Sequence, residues 1–161
     1  AGVQENGSVA LANVCFGDDA AAMARSQRAA TAGAIEAVVS AMRAHPQVAG
    51  VQENGSIALV NVCHGDDAAT PARRQRVAAA GAIEAVVAAM RAHPQVEDVQ
   101  NNGCLAIYNI CSGGSGVRAR RQRATQAGGR TVAVAAMQAH PDHDRVQAYG
   151  RQLLGWLPAE V

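Results

Sequence analysis

Along residues 82–92 the apolar side chains Ile83, Val86, Val87 and Met90 fall at i, i+3, i+4 and i+7, one stripe along a helix. The spacing predicts a helix from Ala82 to Ala92. His93-Pro94 ends it, because the residue before a proline avoids the helical region and the proline itself suits a following first turn. A short helix from Arg73 to Ala80 precedes it and stops at Gly81, the residue type that accepts a left-handed conformation after a helix. A third helix is predicted from about Val96 to Cys111. Val99, Gly103, Ala106 and Ile110 mark its buried side, with Gly103 letting a neighbour approach closely. Gly113 to Gly116 then links to the next helix; the corresponding links earlier in the chain are Gly17-Asp18-Asp19 and Gly65-Asp66-Asp67, where aspartate is a good N-cap.

This three-helix pattern recurs. VQENG occupies Val3 to Gly7 and Val51 to Gly55, VQNNG occupies Val99 to Gly103, and VQAYG occupies Val146 to Gly150, at intervals of 48, 48 and 47 residues. AGAIEAVV starts at Ala32 and Ala80 and degrades to AGGRTVAV at Ala127. AMRAHPQV starts at Ala41 and Ala89 and becomes AMQAHPDH at Ala136. RSQR at Arg25 becomes RRQR at Arg73 and Arg120. The period divides one domain, 1–161, into a lone third helix with its linker (1–24), two full units (25–72 and 73–119) and a terminal unit (120–161). A helix triplet of this size cannot bury its stripes alone, so the units must stack. The fold class predicted is all-α.

Composition adds detail. Hydrophobic residues are 49% of the chain and aromatics only 2%, so the core is built from small side chains and brings backbones close together. The formal net charge of +1 demands neither nucleic acid nor an anionic membrane as partner. Every basic residue is arginine, as a coding bias would give. No apolar stretch approaches the ~20 residues that span a bilayer.

The repeated pattern resembles armadillo repeats: a short first helix ending in glycine, then AGAIEAVVSAM, the AHPQV turn and a third helix GSIALVNVC. The resemblance runs from about Arg25 to Trp156, with Ala1 to Phe16 as a lone third helix. It implies a right-handed α-solenoid of three-helix armadillo-like repeats. It also implies that third helices line a groove in which asparagines grip the backbone of an extended peptide. The matching positions are Asn13, Asn61 and Asn109, and Asn6, Asn54 and Asn102 lie seven residues earlier on the same helix face. An amide offers a donor and an acceptor, so it can pair with a peptide group without reading side chains. Where nuclear-import receptors of this family carry tryptophan, this chain has Val9, Ile57 and Leu105, which argues against a pocket for basic stems. Trp156 stands at the last asparagine position, where the ladder ends. The same asparagines could instead bond locally or cap carbonyls between units.

Three further sets of residues carry chemistry. Arg25/Arg73/Arg120 and Arg28/Arg76/Arg123 form rows, denser near Arg74, Arg118 and Arg121. Of these, Arg73, Arg76, Arg120 and Arg123 are candidate anion-binding residues; the alternative is a solvated face paired with Asp18, Asp19, Asp66 and Asp67. Cys15, Cys63 and Cys111 keep the period, so their helices stand ~8–10 Å apart, too far for disulfides. With Cys104 they read as free, buried thiols, and a reducing intracellular compartment is expected. His45, His93 and His140 should close the second helices on their terminal carbonyls, and His143 beside Asp142 and Asp144 is the one cluster of metal-like composition, read as solvated loop. No metal, cofactor or catalytic set is predicted.

The expected function is a non-catalytic scaffold binding a protein or peptide along the third helices. The alternatives are a structural subunit within a larger assembly and an arginine-row binder of anions or RNA, although the scarcity of aromatics disfavours nucleic acid. The chain opens inside a unit, as a fragment or a processed form would, and its uncovered first helix should need a partner or a missing unit. Arg130 stands where earlier units have Ile35 and Ile83, the polar replacement that a terminal unit requires.

Overall fold

The computed structural model describes residues 2–159. Among them are ten helices and no strand: α1 (Gly2–Cys15), α2 (Ala20–Thr31), α3 (Ala34–Ala44), α4 (Ala49–Cys63), α5 (Thr70–Ala79), α6 (Ala82–Ala92), α7 (Glu97–Ile110), α8 (Val117–Gln126), α9 (Gly129–Ala139) and α10 (Asp144–Trp156). The protein is all-α. None of these helices is long and apolar enough to cross a membrane.

Local chemistry sets the helix ends. Gly33, Gly81 and Gly128 take φ of 86°, 84° and 89°, so each unit turns from first to second helix through a left-handed residue that a Cβ would strain. The second helices all stop at the histidine before the His-Pro turn. The first helices start three to five residues ahead of the repeated arginine. Asp19 caps α2 by accepting from the Ala22 N–H at 2.6 Å. Asp67 accepts from the N–H groups of Ala69 and Thr70 and from the Thr70 hydroxyl, and Pro71 sits in the first turn of α5. No acid precedes α8, which follows Gly116 at φ 73°.

Packing follows the period. The third helices form a row, α1 against α4, α4 against α7 and α7 against α10, while α3 lies on α6 and α6 on α9. Ile35, Ile83, Val86, Met90, Val99 and Ile110 are buried between them, each side chain of this size contributing about 1.5–3 kcal/mol by leaving water. Gly55 and Gly103 are where second and third helices meet: a Cβ there would lie 2.8 Å from Met42 Cγ and 2.6 Å from Met90 Cγ. A glutamine that recurs with the period locks the same joint. The Nε2 of Gln52 donates to the carbonyls of Met42 and His45, Gln100 does so to Met90 and His93, and Gln147 to Met137 and His140. These amides supply donors to the second helix's orphan C-terminal carbonyls. At the chain's far end Arg130 replaces the buried isoleucine and donates to the carbonyls of Leu154 and Leu157, both at 2.7 Å, closing α10.

Candidate interaction face

The third-helix row carries most of the residues singled out for binding. Asn6 and Asn13 on α1 are exposed. Asn54, Ile57 and Asn61 on α4, and Asn102, Leu105 and Asn109 on α7, are half-buried. The asparagines are not equivalent. Asn61 Nδ2 donates to the Ala12 carbonyl at 2.8 Å, tying α4 to α1. Asn54 donates to Gly50 in its own helix, and Asn102 accepts from Asn101. Helix-to-helix and local bonds therefore engage part of the ladder, although an amide NH2 with one bond keeps a second N–H.

Aromatic residues take over at the other end of the row. The Tyr108 ring stacks on Trp156 with centroids 4.4 Å apart and tilts against Tyr149 at 6.1 Å. The Arg121 guanidinium lies 4.4 Å above the Trp156 ring, and its Nε donates to the Cys111 carbonyl at the end of α7. Beside this cluster a cleft of about 1010 Å³ opens between α8, α9 and the segment after α10, lined by Arg91, Arg118, Arg121, Gln122 and Trp156. The repeat pattern does not predict this cluster, since by period Trp156 only ends the asparagine ladder. A signal was present: Tyr108, Tyr149 and Trp156 are three of the four aromatic residues in the chain, and Tyr149 and Trp156 are seven residues apart on one helix face.

The arginine rows are corrected by the structure. Arg73 and Arg120 were candidates for anion binding, or for a solvated face; they are instead 2% and 1% exposed. Arg73 donates to the carbonyls of Val62 and His64 and to Asp67. Arg120 donates to the carbonyls of Ile110, Ser112, Gly113 and Ser115. The carbonyls at the C-terminal ends of α4 and α7, and of the link after α7, hold these cations. Burial lowers the pKa of Arg120 without removing its charge. Arg76 and Arg123 lie on the surface, bonded to Glu36 at 3.0 Å and Glu84 at 2.6 Å across adjacent units, rather than to the linker aspartates.

Three histidines make bonds that hold turns and helix ends, and the cysteines are buried. His93 Nε2 donates to the Pro46 carbonyl at 2.8 Å and His140 Nε2 to Pro94 at 3.0 Å, so each imidazole ties its turn to the preceding one; the terminal carbonyls expected as its partners are taken by the glutamines. His143 accepts from the Val146 N–H and stands 3.0 Å from Glu97. It caps α10. Cys15, Cys63, Cys104 and Cys111 are free and buried. Desolvation pushes the thiols of Cys63, Cys104 and Cys111 up to about 12, which keeps them protonated and unreactive.

No family model matches the chain, and no curated protein or solved structure matches it either.

Proposed function

We propose that the chain is a right-handed solenoid of armadillo-like repeats serving as a non-catalytic protein-interaction module, and that it holds an extended polypeptide along its third helices. One observation carries this reading: a continuous row of partly open amide, apolar and aromatic side chains, from Asn61 and Ile57 through Leu105 and Asn109 to Tyr108, Tyr149 and Trp156. Aromatic and aliphatic side chains give area at low entropic cost, and amides pair with peptide groups of any sequence. The arginine-lined cleft at the aromatic end favours a peptide carrying acidic side chains there. The alternative anion or RNA reading loses Arg73 and Arg120, whose donors are engaged by backbone carbonyls.

A linear-peptide display selection on the full chain tests the proposal. Selected peptides should bind Trp156→Ala about tenfold more weakly, near 1.4 kcal/mol, and Asn109→Ala by a smaller factor, with helicity unchanged by circular dichroism. Failure to select any peptide, or selected peptides indifferent to both changes, would refute it.

A further inference from the structure

Four contacts hold one unit to the next or close the joint within a unit, and the structure shows each of them at least twice. A glutamine at the start of the third helix donates to two carbonyls of a second helix, beside a glycine that a methionine covers. A first-helix arginine pairs with a second-helix glutamate of the preceding unit: Arg76 with Glu36, Arg123 with Glu84. A second-helix arginine donates to the carbonyl at the following unit's first turn: Arg43 to Gly81, Arg91 to Ala127. A histidine donates to the preceding unit's proline carbonyl.

The α1–α3 end of the molecule repeats one half of every contact. Gly2 to Ser8 is identical to Gly50 to Ser56. Yet Val3 is 81% exposed where Val51 is 0%, and nothing lies within 4 Å of a Cβ on Gly7 where Met42 fills that space at Gly55. Arg28 corresponds to Arg76, the Gly33 carbonyl to that of Gly81, and His45 to His93.

We infer that this end is a docking surface for a further helical repeat unit, whose second helix bears a glutamate, an arginine and a methionine at the spacings of Glu36, Arg43 and Met42 and ends in a His-Pro turn. Its methionine covers Gly7. Its last-turn carbonyls accept from Gln4, and its glutamate pairs with Arg28. A second copy of this chain joined head to tail does not fit. At the α9 end Thr131 stands at the position of Glu84 and Gln138 at that of Arg91, so the charged halves of the joint are gone. The surface is independent of the peptide row and would survive that proposal's failure.

Two measurements on the full chain test it. Residues 17–48, fused directly ahead of residue 1, recreate the V-A-G-V-Q junction found at Val48 to Gln52. The fusion should melt several degrees higher than the chain alone and in one transition, and Gly7→Leu should cancel the gain. In the unfused chain a Cβ at Gly7 has no neighbour within 4 Å, so Gly7→Leu should leave melting unchanged or raised, which separates docking from folding. In trans, a helix-stabilised peptide of residues 32–48 should bind the chain saturably, and Gly7→Leu or Gln4→Ala should weaken it tenfold or more. A fusion no more stable than the chain, a gain that persists in Gly7→Leu, or a dimer of the chain that Gly7→Leu dissolves would overturn the inference.

Discussion

Arg73 and Arg120 occupy the same repeat position and are equally buried, but their surroundings differ. The link before α5 supplies Asp67, whose carboxylate lies 3.1 Å from Arg73 and is 29% exposed. The link before α8 is glycine and serine, and Arg120 has carbonyls alone, at 2.6–2.9 Å. A buried guanidinium thus needs no carboxylate here. The last carbonyl of α7 and those of the link that follows it, at Ser112, Gly113 and Ser115, provide enough acceptors for the rigid guanidinium fork. Where the carboxylate is present, it lies at the open rim and mainly orders the turn.

That comparison can be sharpened from its strong end. Arg120→Met should be the most destabilising change, by about 3 kcal/mol or more, because it strips donors from carbonyls of Ile110, Ser112, Gly113 and Ser115 in one step; urea unfolding measures it. Arg73→Met should follow at about 2–3 kcal/mol, since Val62 and His64 lose their donors while Asp67 keeps the backbone N–H groups and water. A larger loss at Arg73 than at Arg120 would break the argument that carbonyls suffice.

Asp67→Asn should cost less, about 1 kcal/mol at neutral pH, and it has a pH signature. Burial raises the pKa of Asp67, but hydrogen bonds from Thr70 and Arg73 outweigh it and hold the carboxyl below the ordinary aspartate range. A folded-state pKa below the unfolded one stabilises fully above the unfolded value, near 4, and is lost as pH falls through the folded value. The gap between the native chain and Asp67→Asn should therefore be constant from pH 7 to about 5 and close below 4. A gap that persists at pH 2 would mean that the carboxylate is not what Arg73 senses. Smallest of all, Glu36→Gln, which weakens a pair with side chains 49% and 42% exposed, should change stability by less than about 0.5 kcal/mol and lose even that in high salt.

Much of the architecture was legible in the chain itself. The stripe at Ile83, Val86, Val87 and Met90 predicted α6 to the residue, and Gly81 and His93-Pro94 fixed its ends, because those signals act within one or two turns. The repeated arginine marks the first helices too late, since Asp67 and Pro71 start α5 at Thr70, ahead of Arg73. Of the candidate binding residues, the asparagine positions were visible as a period, but the bond from Asn61 to Ala12 was not, because it joins residues 49 apart through the stacking of two helices.

The sequence by itself determined the number, order and period of the helices, through apolar spacing and local stop signals. Only the tertiary structure decided what each arginine does. Arg73 and Arg76 lie three residues apart on α5, yet one is buried against the end of α4 and the other meets Glu36 in solvent. Spacing along one helix fixes which residues share a face. Which carbonyls or carboxylates that face meets depends on where neighbouring helices end, and that is settled only when the units stack.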